Sequence, residues 1–249
     1  MNRLVLLITV LLLQGCSSYA RLTYEFDELA GTPNIFYDQE AKNIANRANK
    51  SLPDGISSVV NKQYVAFKDL ESVKVYIFSS KKRYSRFSGS TPKARGSATK
   101  NEIYISPMIK DRIETLDEII THELSHVHLR QYIGTWRYWS EVPGWFHEGL
   151  AVEVSGGGGA EKVSDEQAIS AIRSGKYFTP REESSLLGHK YASDYGLEHQ
   201  MYYRQSYLFV RYLINQSPEA FEEVYLALID GTSFKDVWVL KYGKSIPVL

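Results

Sequence analysis

His122-Glu123-Leu124-Ser125-His126 lies in the middle of ETLDEIITHELSHVHLRQ, residues 114–131, and the reading of this stretch decides what fold to expect. Leu116, Ile119, Ile120, Leu124 and Val127 recur near a spacing of 3.6, which predicts an amphipathic helix from about Glu114 to Gln131. Residues four apart share a helix face. His122 and His126 can then converge on one zinc ion, at about 2.0–2.1 Å each, with Glu123 placed to take a proton from a metal-bound water. The competing reading is a solvated helix that carries His and Glu for solubility. On the same helix His128 points elsewhere, which assigns it a surface or structural role.

C-terminal to this stretch, an aromatic loop is expected around Tyr132, Trp136, Tyr138 and Trp139, closed by Pro143-Gly144. A second helix starts at about Trp145 and carries Trp145-Phe146-His147-Glu148-Gly149-Leu150-Ala151-Val152-Glu153. A catalytic zinc takes three protein ligands and leaves a fourth position for water, and Glu148 can supply the third. Gly149 and Ala151 are small enough to let the two helices approach closely. His147 is a candidate cleft residue, whereas His189 and His199 receive no assignment. Four glycines in a row, Gly156 to Gly159, cannot stay helical and read as a flexible link.

The His122–His126 motif followed by Trp145–Ala151 resembles the gluzincin metallopeptidases, and within them the small peptidase MA-like group. The stretch from Tyr203 to Leu213 is similar to that group's helix after the site. The resemblance covers roughly residues 73–245. It implies an α+β, zincin-like fold, with a small N-terminal β-sheet followed by an active-site helix and a helical C-terminal half. It further implies that His122, His126 and Glu148 bind Zn2+, that Glu123 is the general base, and that the substrate is a peptide or protein. Tyr203 is the candidate oxyanion donor. Its alternative role is packing, since it shares a helical face with Tyr207, Val210 and Ile214. By analogy with zincins, the hairpin strand around Ile103-Tyr104-Ile105 is expected to pair with extended substrate. The chain departs from the pattern in two places. Twenty-one residues separate His126 from Glu148. Val152 stands where thermolysin-like gluzincins have a carboxylate that orients a ligand histidine, which leaves Asp117, Glu153 and backbone carbonyls as candidates for that task.

N-terminal to the strand region, MNRLVLLITVLLLQGC (residues 1–16) has a short positive start and a ten-residue apolar run, Leu4 to Leu13. Ten residues are too few to span a bilayer, which needs about 20, and suit an export signal. Leu13-Gln14-Gly15-Cys16 resembles a bacterial lipobox, although Gln14 departs from the usual small or β-branched residue. The resemblance implies cleavage before Cys16, lipidation of its thiol and, with Ser17 following, an outer-membrane lipoprotein facing the periplasm. Cys16 is the only cysteine of the 249 residues, so no disulfide within the chain supports the fold. Lys+Arg and Asp+Glu both number 29, and this balance supplies no electrostatic footprint for nucleic acid. No nucleic-acid partner is expected.

The domain reading is therefore 1–15 as signal peptide, 16–36 as tether and 37–249 as metallopeptidase domain. Within the last, Tyr37 to Asn49 reads as helical, Ser51-Leu52-Pro53-Asp54-Gly55 as a turn, and 56–68 as another helix. Val73 to Phe78 reads as a strand, 79–93 as a surface loop, and Ala94–Ala98 with Glu102–Ser106 as a hairpin. Ser164 with Gln167 resembles a capping box, and residues 175–199 read as loop. Three helices complete the chain: Met201–Gln216, one from Ser217-Pro218 to Gly231, and one from Ser233 to about Gly243. Two further functions compete with the peptidase reading. One is an inert lipoprotein of the same fold acting in binding or envelope assembly. The other is hydrolysis of amide bonds in cell-wall peptides, motivated by the periplasmic setting alone.

Overall fold

Short β-branched and aromatic runs form the sheet on which the site is built. In the computed structural model, which describes residues 20–181 and 190–242, the fold is α+β and mostly helical. The strands are β1 (Asp27–Glu28), β2 (Ile35–Tyr37), β3 (Lys74–Ile77), β4 (Gly96–Ala98) and β5 (Glu102–Ile105). Their order is β1-β2-β3-β5-β4, with the β2–β3 and β3–β5 pairs parallel and the outer pairs antiparallel. Val75 lies opposite Ile35 and Ile103, and Ile77 opposite Tyr37 and Ile105, so alternate positions of three strands bury one apolar face. The other face carries Tyr76 and Tyr104, packed with Phe78, Tyr84 and Phe87.

Four expectations from the sequence are corrected here. Within the expected tether 16–36, the described residues 20–36 supply β1 and part of β2, because Leu29 and Ile35 are buried in the main core. The turn at Ser51–Gly55 does not interrupt helix α1 (Lys42–Lys62), which runs through Pro53. A proline inside a helix costs about 3 kcal/mol. Against that, α1 buries Ile44, Ala45, Ala48 and Val59, and Gly55 lets it close onto its neighbour. A Cβ at Gly55 would sit 2.8 Å from Thr121 Oγ1. The 79–93 loop contains helix α2 (Lys81–Ser88), with Tyr84 and Phe87 turned inward and the basic residues outward. The aromatic loop after residue 131 is helical too, as part of α3 (Leu116–Glu141). Gly134, at φ 78° and ψ 160°, bends this helix in a region of backbone space that only glycine enters readily.

The hairpin, β3, the Ser164–Gln167 capping box and the Ser217 cap form where expected. Beyond α3 come α4 (Gly144–Ser155), α5 (Asp165–Arg173), α6 (His199–Gln216), α7 (Pro218–Ile229) and α8 (Phe234–Tyr242). Strand β5 is internal, flanked by β3 and β4, so the edge strand on this side of the sheet is β4 and not the stretch around Tyr104. Among the described residues no helix is long and apolar enough to cross a membrane. Cys16, the apolar run before it, His189 and Gly243 lie outside the described residues.

Candidate metal centre

The first half of α3 is buried on almost every side, and the polar residues it buries are the candidate site. His122 and His126 are 4% and 6% exposed. Their Nε2 atoms lie 3.1 Å apart. Helix α4 brings Glu148 across, with its Oε2 3.3 Å from His122 Nε2 and 3.4 Å from His126 Nε2. Three atoms bound tetrahedrally at about 2.0–2.1 Å from one ion would lie about 3.3–3.4 Å apart, so this triangle is sized for a zinc-like cation. The Glu148 Oε2 is also buried with no hydrogen-bond partner. His122, His126 and Glu148 are thus a group that could hold a metal ion.

The charges in the site are set by burial and by each other. Burial pushes the Glu148 carboxyl up, but the adjacent His126 and His122 pull it well below the usual carboxylate range. Burial works against a charge on His122, yet Glu148 and Glu123 outweigh it and raise its pKa. Burial lowers His126 to about 4. Glu123 stands apart from the triangle. Burial pushes its carboxyl up to about 7, even though His122 and Arg130 pull the other way. A carboxyl poised near neutrality is suited to moving protons.

The residue that orients His126 is Tyr138. Its hydroxyl lies 2.9 Å from His126 Nδ1 and 2.9 Å from His147 Nδ1. A neutral His126 that offers its Nε2 lone pair carries its proton on Nδ1. That Nδ1–H therefore donates to Tyr138, and the Tyr138 hydroxyl donates onward to His147. Asp117 and Glu153, the sequence candidates for this task, are engaged elsewhere. Asp117 accepts from Ser51 and lies 3.7 Å from Arg47, while Glu153 lies 3.6 Å from Lys62. No short motif links Tyr138 to His126; the bend at Gly134 brings it back over the site. Outer partners of this kind tune metal affinity by about 10–100-fold. If the group holds a metal ion, Tyr138→Phe is therefore expected to weaken its binding by that factor while the fold is kept, as read by competition of added zinc with a chelating dye. An unchanged affinity would remove Tyr138 from the site.

His122 is held from the other side. The second half of the glycine run, expected as a flexible link, is a packed wall. A Cβ at Gly158 would lie 2.4 Å from the Glu118 carbonyl oxygen, and one at Gly159 would lie 3.0 Å from His122 Cε1. The Tyr203 ring stacks on His122 with centroids 5.8 Å apart and planes 19° apart. Burial and the negative charge of the nearby Glu148 raise the Tyr203 pKa well above its ordinary value. His199, which the sequence left unassigned, packs 4.2 Å from the Tyr203 ring and lines the same cleft. His128 is fully buried rather than on the surface, held by Tyr225 at 2.8 Å and the Val65 carbonyl at 3.0 Å, and burial lowers it to about 4.

The cleft over these residues encloses roughly 300 Å³ and is walled on one side by β4. A Cβ at Gly96 would lie 2.8 Å from Glu123 Oε1, so only glycine lets that carboxylate lie against the strand. The protein-family models contain no match to the chain, and neither do the curated proteins.

Proposed function

We propose that the protein is a zinc-dependent peptidase of the gluzincin type, with His122, His126 and Glu148 holding the ion and Glu123 acting as general base. The observation that carries this reading is the 3.1–3.4 Å triangle of donor atoms, with a buried carboxyl beside it that is not needed as a ligand. Bound there, zinc would supply a Lewis acid and a water of lowered pKa. Glu123 takes the proton from the attacking water and returns it to the leaving amine. The Tyr203 hydroxyl, beside Glu148, is the donor assigned to the developing oxyanion. An inert binding scaffold would need no carboxyl in the place of Glu123.

Strand β4 provides the platform for an extended peptide. The Ser106 N–H donates to Arg95 O and the Thr99 N–H donates to Glu102 O. In an antiparallel ladder the alternate residues, Gly96 and Ala98, then direct their backbone groups away from β5 and toward the cleft. A peptide added as a strand there is held by its main chain, which tolerates varied side chains.

The test is zinc stoichiometry together with hydrolysis of a mixed peptide library. We expect one zinc per chain and metal-dependent cleavage; a purified chain that cannot take up zinc would overturn the reading. Tyr203→Phe should lower kcat by about 10²-fold with zinc content unchanged. Equal kcat values would return Tyr203 to a packing role. The lipobox-like Leu13–Cys16 supports lipid anchoring in the bacterial envelope, facing the periplasm. Cys16→Ser should abolish palmitate labelling, and persistent labelling would count against the anchor.

A further inference from the structure

Arg130 lies four residues beyond His126 on α3, about 6 Å further along the helix axis. The residue is 5% exposed and lines the cleft. Its guanidinium sits 4.0 Å over the Tyr138 ring and 5.0 Å over that of Trp139, and it donates to the Ala98 carbonyl. Its Nε has no hydrogen-bond partner, and among the described residues it forms no ion pair. A buried cation with no carboxylate within ion-pair distance is costly; Glu123 acts on it only at longer range, and two aromatic faces and one carbonyl offset that cost only in part.

The rest of the cleft repeats this imbalance. Glu123 and Glu148 are the only carboxylates among the described lining residues, and both belong to the metal centre. Lys93, Arg95 and Arg130 line the remainder, and of these Arg95 pairs with Glu161. Selection of a free peptide N-terminus would need a further carboxylate facing the cleft. The charge there has the opposite sign.

Building on the peptidase reading, we propose that Arg130 is an anion subsite that selects substrates with a carboxylate within about two residues of the attacked bond. The planar guanidinium fork suits a carboxylate, whether this comes from an acidic side chain or from the C-terminus of the peptide. Position supports that distance. An extended peptide advances about 3.3 Å per residue, so the 6 Å step from His126 to Arg130 covers two residues at most.

Three zinc-chelating peptide hydroxamates test this by direct binding to the zinc-loaded full chain. One carries a glutamate side chain and a blocked C-terminus, the second glutamine in its place, and the third glutamine with a free C-terminal carboxylate. We expect at least one carboxylate probe to bind tenfold or more tighter than the neutral one, and the tighter of the two identifies the source of the anion. The preference should vanish in Arg130→Met and be partly kept in Arg130→Lys. Equal binding of all three probes to zinc-loaded wild type overturns the subsite and leaves the peptidase reading intact. A wild type that takes up no zinc overturns both. The wild-type comparison decides even if Arg130→Met does not fold, and a folded Arg130→Met that keeps the preference also overturns the proposal.

Discussion

Glu123→Gln is expected to lower peptide hydrolysis by about 10²–10⁴-fold, the range associated with a general acid–base group, while zinc content stays at the wild-type level. Glutamine has nearly the same shape, so it fits against Gly96 as the glutamate does. It cannot accept the proton of a water. Because Glu123 is not part of the donor triangle, its loss should leave the ion in place. The same substitution has an opposite expected effect on stability. The folded pKa of Glu123 is raised, by burial, from an ordinary 4.5 to about 7. Glu123's own contribution to the metal-free fold should therefore be lost as pH rises from about 4.5 through 7, so the stability of wild type relative to the glutamine variant should fall across that window, whatever the buried histidines add to both. Thermal melts across this window, beside activity and zinc assays, check both statements. A variant that loses zinc along with activity would show that Glu123 supports the ligands instead.

Gly149→Ala is expected to be the most damaging small change in the fold. A Cβ there would lie 2.5 Å from the Ser206 carbonyl oxygen and 2.7 Å from its carbon, both backbone atoms of α6. Alanine in a helix gains about 1 kcal/mol over glycine from propensity. Overpacking a core costs about 1–3 kcal/mol, and here neither partner is a side chain that can rotate away. The clash should win, with a net loss of up to about 2 kcal/mol in urea unfolding. Activity should fall further than stability alone implies, because α4 carries Glu148 and α6 carries Tyr203. A urea midpoint equal to or above wild type would show that the two helices are less closely fitted than the structure has them.

Most of the centre was legible because its residues obey short-range rules. His122 and His126 are one helical turn apart, and Glu148 occupies a helix whose small residues announce close packing. The hairpin and the caps follow from local turn chemistry in the same way. What escaped depends on tertiary contact. Pro53 and Gly55 look like a turn until the close approach of Thr121 is known. Tyr84 and Phe87 are a helix face hidden among Ser, Lys and Arg. The edge role passed from the Tyr104 strand to β4 because strand order is a global property that alternation within a strand does not encode. Tyr138 was missed because nothing in its spacing from His126 marks it, and Arg130, although it shares the motif's helix face, because the aromatic rings that cover it come back over the site only once α3 bends at Gly134.

That bend has a genetic consequence. With it, His122, His126, Tyr138, His147 and Glu148 all come from two helices adjacent in the chain, α3 and α4. Strand β4, which lines the cleft, and the helix bearing Tyr203 come from distant segments. Loss-of-function substitutions should therefore divide by position. Those at His122, His126 or Glu148 should abolish metal retention and catalysis together, whereas those at Glu123, in β4 or in α6 should yield proteins that keep their metal and no longer process substrate.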